Sequence, residues 1–140
     1  MILLENKIAI FNKIVFLKQK EECERRIKEE REKAAKILEE RLISVRVVDM
    51  YSIKPIDREL IVKCAKETGA IVCAEEHNIH GGLGSAVSEV LAYEGCGVPT
   101  EFVGIQDTFT ESAPYKELLA KYGLDADGVI EGIEKVLDRK

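Results

Sequence analysis

Residues 43–92 read ISVRVVDMYSIKPIDRELIVKCAKETGAIVCAEEHNIHGGLGSAVSEVLA, and the spacing of their apolar side chains decides the fold. ISVRVVD, residues 43–49, is rich in β-branched residues and reads as a strand. SIKPID forms a loop, because Pro55 disfavours helical backbone at Lys54. Asp57 stands where an N-cap is needed, ahead of a helix through about Glu67 that turns Leu60, Ile61, Cys64 and Ala65 inward. Gly69 ends that helix. AIVCA, residues 70–74, is an unbroken apolar run, the pattern of a strand covered on both faces. The polar, glycine-rich EEHNIHGGLG reads as a turn. Leu83, Ala86, Val87, Val90 and Leu91 then fall on one helical face.

Downstream, TEFVGI at 100–105 reads as a third strand. A helix near Pro114–Tyr122 ends at Gly123, with Ser112 or Thr110 as its expected cap. A last helix begins near Asp125 and carries Val129, Ile130, Ile133, Val136 and Leu137 inward. The order β-α-β-α-β with short connections requires parallel strands and right-handed crossovers.

The upstream segment is built differently. All ten glycines lie at or beyond Gly69, and all three prolines at or beyond Pro55. Residues 20–41 are charged at 16 of 22 positions and read as a helix, with an apolar face only at Ala34, Ile37 and Leu38. Residues 1–19 fit two patterns. Ile8, Ile10, Ile14 and Phe16 alternate as in strands, whereas Leu4, Ile8, Phe11 and Val15 fit a helical stripe.

The chain has 140 residues, enough for one core, with 46% hydrophobic and 34% charged residues. Residues 1–42 carry 11 basic and 9 acidic side chains; the remainder carries 10 and 17, giving the net charge of −5. That balance argues against nucleic acid as a partner, because phosphate contacts need a basic surface. No run reaches the ~18 apolar residues of a membrane span, and no basic stretch precedes an apolar one as in a secretory signal. Cys23, Cys64, Cys73 and Cys96 form no C-x-x-C pair and read as reduced, partly buried thiols of a cytoplasmic protein.

The chemistry-bearing residues cluster around the turn at 75–84. Gly81, Gly82 and Gly84 follow a strand and open a helix, a geometry that presents backbone N–H groups to an anion. The same glycines also serve close packing, and no Lys or Arg occurs from 67 to 115. His77 and His80 with Cys73 or Glu76 match no standard zinc spacing, so His77 is expected to hydrogen-bond locally or across a subunit contact. Glu75 and Glu76 are adjacent in a strand and point to opposite faces, so they cannot flank one bond together. Asp49 ends its strand on the side where such sheets bind ligands, and a loop-capping or N–H-accepting role is expected of it.

Three features in this order resemble the C-terminal domain of transketolases: the strand ending in Asp49 followed by IKPID, the strand leading into Glu75, Glu76 and His77, and Gly81-Gly82 with Gly84 opening a helix. Deoxyxylulose-phosphate synthases and 2-oxoacid dehydrogenase β subunits end in similar domains, and these, with a small anion- or nucleotide-binding regulatory module, are the alternative readings. The resemblance covers about residues 33–140 and leaves 1–32 as an atypical N-terminal segment with a charged helix. It implies a three-layer α/β/α unit with a mostly parallel five-stranded sheet.

The resemblance also implies a role. In transketolases, thiamine diphosphate and Mg²⁺ lie between two preceding domains, and the Gly-Asp-Gly motif that holds them has no counterpart here. The chain is therefore expected to carry no catalytic, cofactor or metal residue of its own. It is expected to act as a dimerisation or docking domain, pairing with itself or with a cofactor-binding subunit, through an interface or anion loop of Glu76, His77, Gly81, Gly82 and Gly84. One departure concerns the turn before Ile43. The family places glycine there and this chain has Leu42, so a different helix end is expected.

Overall fold

The computed structural model describes residues 7–13 and 20–140. Its elements are β1 (Lys7–Lys13), α1 (Lys20–Glu40), β2 (Ser44–Asp49), α2 (Arg58–Thr68), β3 (Ile71–Asn78), α3 (Leu83–Tyr93), β4 (Thr100–Ile105), α4 (Tyr115–Lys121) and α5 (Ala126–Leu137). The sheet order is β2-β1-β3-β4, and every pairing is parallel. Among the described residues it has four strands, so the fifth strand expected is not among them.

Alternation along β3 explains the three layers. Ile71 and Cys73 face a core shared with Ile61, Cys64, Val87 and Leu91 of α2 and α3. Val72 and Ala74 face the opposite core, with Ala34 and Leu38 of α1 and Val129, Ile133 and Val136 of α5. Both faces are dry, which is why AIVCA reads as one apolar run rather than an alternating one. The fold is the expected α/β/α arrangement.

The N-terminal segment enters the sheet. β1 lies between β2 and β3, matched to β2 from Lys7↔Ser44 to Asn12↔Asp49. Ile8, Ile10 and Phe11 therefore belong to a strand, while Leu4, Ile14, Val15 and Phe16 lie outside the described residues. α1 spans the charged tract, and its buried side is the one expected, Ala34 and Leu38.

Two local expectations are corrected. The turn read from Glu75 onward begins only after Asn78, because β3 continues through EEHN, with a register shift against β4 between Ala74 and Asn78. The N-cap of α4 is Pro114, with no side-chain cap, in place of Ser112 or Thr110. The caps at Asp57 and Asp125 form as expected: Asp57 accepts from the Leu60 N–H and Asp125 from the Gly128 N–H, each at 3.0 Å.

The end of α1 is a Schellman turn with leucine in the glycine position. Leu42 has φ 61°, its N–H donates to Glu39 O, and the Ile43 N–H donates to Leu38 O. The helix thus ends in the left-handed turn that glycine ordinarily makes, and the leucine side chain is 88% exposed. A left-handed leucine costs roughly 1–2 kcal/mol, and glycine returns part of that through unfolded-chain entropy. Leu42→Gly is therefore expected to raise stability by about 0.5–1 kcal/mol in urea unfolding; a loss of stability would contradict the strain.

Candidate functional site

The C-terminal ends of the parallel strands lie together, and the loop between β3 and α3 rises from them. α3 begins at Gly82, which has no side chain to cap the first N–H groups of the helix. Glu75 supplies the acceptor from within the sheet. Its carboxylate takes the Leu83 N–H at 2.8 Å and the Gly84 N–H at 3.1 Å, and the residue is only 4% exposed. A carboxylate at the positive end of a helix gains from the peptide dipoles as well as from two charge-assisted hydrogen bonds.

The glycines make this approach possible. A Cβ on Gly82 would lie 2.0 Å from Glu75 Oε2, and one on Gly84 would lie 2.6 Å from the Phe102 ring. Gly81 has φ 73° and open space around it, so conformation rather than packing requires glycine there. Its N–H donates to Ser85 Oγ at 3.0 Å, and that hydroxyl donates to Ile79 O at 3.3 Å.

Glu76 and His77 lie outside. Glu76 is exposed, and its carboxylate accepts from the Tyr115 hydroxyl at 2.5 Å, tying the start of α4 to β3. His77 is exposed, with Nδ1 donating to Asn78 O at 2.8 Å; His80 is exposed, and its backbone N–H donates to Asn78 Oδ1 at 2.9 Å. The two adjacent glutamates do point to opposite sides, one buried and one in solvent. Burial, and secondarily the Glu75 charge, push the Cys73 thiol well above its ordinary value, which keeps it protonated and unreactive. Among the described residues no three His, Cys, Asp or Glu side chains gather as a metal site, and no helix is long and apolar enough to cross a membrane.

The structure thus gathers Gly82 and Gly84 around a buried acid, Glu75, that the expected loop of Glu76, His77, Gly81, Gly82 and Gly84 left out. The signal was present: an apolar run leads into Glu75, and the helix that follows has glycine at its N-cap. An external anion at this helix end would have to displace the chain's own carboxylate. A cavity of about 20 Å³ lined by Glu30, Glu75 and Glu76 with Ala74, Val103 and Leu124 contains none of the turn glycines. A wider groove of about 460 Å³ runs outside α2 between Arg58, Lys63, Lys66 and Glu59, Glu67, Glu94, over Val62. Its three cations and three anions balance, and it contains none of the turn residues.

Comparison with known proteins places this geometry. The family model for the transketolase C-terminal domain matches residues 27–129. A 1-deoxy-D-xylulose-5-phosphate synthase of Geobacter sulfurreducens is 44% identical over 108 residues, which are 76% of this chain and 17% of that protein. A putative transketolase C-terminal section of Methanocaldococcus jannaschii is 40% identical over 77% of this chain and 33% of its own length. A solved split-gene transketolase, described as an inactive β4 tetramer, superposes with a TM-score of 0.81 at 44% identity, covering 96% of this chain and 40% of that one. The chain therefore spans between a sixth and two fifths of these relatives. With more than half of its length matched, it belongs to the transketolase C-terminal domain family.

Proposed function

We propose that the chain serves as the docking and dimerisation section of a transketolase-type, thiamine-diphosphate-dependent transferase of the cytoplasm and pentose phosphate pathway, with no reaction centre of its own. In the complete enzyme a two-carbon ketol unit would pass between sugar phosphates on other domains. Residues 33–140 form the family domain in this reading, and the atypical segment 1–32 contributes β1 to its sheet. The loop of Glu76, His77, Gly81, Gly82 and Gly84 is its contact surface, toward a second copy or toward a cofactor-binding subunit.

The observation that carries this reading is the Glu75 carboxylate on the Leu83 and Gly84 N–H groups. A diphosphate–Mg²⁺ group needs free N–H donors and oxygen ligands for the metal. The residues at this end do not fit it, since the donors are taken by a fixed carboxylate. Relatives named as transketolase subunits and sections support a partner chain. The match to 1-deoxy-D-xylulose-5-phosphate synthases favours a second reading, the same docking role within that enzyme. Titration calorimetry of the isolated chain with thiamine diphosphate and Mg²⁺ tests the proposal: no saturable heat is expected, and tight binding would overturn it.

A further inference from the structure

Every residue from Gln106 to Pro114, between β4 and α4, is exposed, and the Phe109 side chain stands fully in solvent at 101%. Among the described residues, the main chain of residues 106–113 makes no hydrogen bond. Two side-chain ties hold the segment near its ends: the Gln106 amide donates to Gly104 O at 3.3 Å, and Lys121 pairs with Glu111. Exposed ion pairs of this kind contribute little. Exposed, polar loop tips are the preferred places for a folded chain to be nicked. A segment bound in extended form offers its main-chain N–H and C=O groups to the binding protein, and here those groups are free.

We infer that this loop is a cleavage site of the folded chain, at which a protease that accepts an aromatic side chain hydrolyses the Phe109–Thr110 bond. One water is consumed. Its oxygen joins the Phe109 carbonyl carbon as that carbon parts from the Thr110 nitrogen, leaving a carboxylate on Phe109 and an ammonium on Thr110. No proline follows Phe109 until Pro114, so the main chain beyond the bond keeps its N–H donors.

The other described aromatic residues from Tyr51 onward are held. Tyr51 is exposed, but Met50 beside it is buried, and Ile53 and Ile56 pack against the core, which pins its main chain. Tyr93 is exposed at the end of α3 with the Arg58 guanidinium 4.6 Å above its ring, and helical hydrogen bonds must break before its main chain is free. Tyr115 and Tyr122 belong to α4 and its C-cap, and Phe102 to the paired strand β4.

Cleavage leaves the domain assembled. No residue of 106–114 is buried, whereas Val129, Ile133 and Val136 of α5 share the core with Val72 and Val103. Residues 110–140 are therefore still held by the apolar contacts of α5 once the bond is cut.

The test is limited digestion of the full chain with chymotrypsin, read by mass spectrometry and by sedimentation in native buffer. Within residues 20–140 the first cut is expected after Phe109, with the sedimentation mass and the circular dichroism the same before and after. Phe109→Ser is expected to slow cleavage of the loop by at least about tenfold, because the protease loses its apolar contact, and Phe109→Tyr is expected to restore it. A first cut at Tyr51, Tyr93 or Tyr115, an unchanged rate in Phe109→Ser, or separation of the fragments in native buffer would each overturn the inference. So would a cleavage rate that follows global unfolding across a urea series, since cutting would then need the open chain.

Discussion

Gly128→Ala is expected to lower the free energy of unfolding by about 3 kcal/mol, and the melting temperature by about 10 °C. Helix propensity alone predicts the opposite sign, because alanine in a helix is favoured over glycine by about 1 kcal/mol. Contact decides. A Cβ at Gly128 would lie 1.9 Å from Gly123 O and 2.3 Å from its carbonyl carbon. These are main-chain atoms, and they are pinned: Gly123 has φ 65°, its N–H donates to Ala120 O, and the Leu124 N–H donates to Leu119 O at 2.8 Å. Relief requires moving the α4–α5 turn or withdrawing Gly128 from the Asp125 cap, itself worth ~1 kcal/mol. Gly97 has open space where its Cβ would stand, so Gly97→Ala is expected to change stability by less than about 0.5 kcal/mol. Urea unfolding of the three proteins checks both, and a neutral Gly128→Ala would show that the turn is not held as described.

Glu75→Ala is expected to cost about 2–3 kcal/mol. Removing the carboxylate leaves the Leu83 and Gly84 N–H groups without their acceptor, and Leu83 is fully buried. An orphaned buried donor forfeits ~1–3 kcal/mol, offset in part because a buried charge no longer has to be desolvated. Glu75→Gln is expected to fall between, since its amide oxygen accepts one N–H while its NH₂ opposes the other. Hydrogen exchange at Leu83 and Gly84 is expected to accelerate in both variants. Unchanged protection there in Glu75→Ala would mean that another group caps α3.

Most of the layered fold could be read from residue 43 onward, because apolar spacing, Asp57, Gly69, Gly123 and Asp125 all point to the same elements. What escaped did so for definite reasons. Glu75–Asn78 looked like a turn because charge ordinarily ends a buried strand; here the first charge is satisfied by a helix end nine residues away in sequence, and the strand continues. Residues 7–13 carried both a two-residue and a helical period, and only pairing with β2 and β3, which lie far along the chain, selects the strand. Leu42 was expected to alter the end of α1, yet tertiary packing of Ile43 and Leu38 imposes the left-handed turn on an unsuitable residue. At the candidate site the glycine pattern and its service to close packing were legible, and the buried acceptor that the close packing admits was not. Spacing marks where N–H groups converge, whereas their acceptor comes from the neighbouring strand and can be recognised only once the strand and helix are set side by side.

This end of the sheet is closed by the chain's own carboxylate, and the docking role proposed for the chain depends on that closure. Calorimetric titration of the isolated chain with thiamine diphosphate and Mg²⁺ tests it most directly. A flat titration is predicted, identical to buffer dilution. Saturable one-to-one binding, abolished by altering the Gly81–Gly84 turn, would contradict the claim.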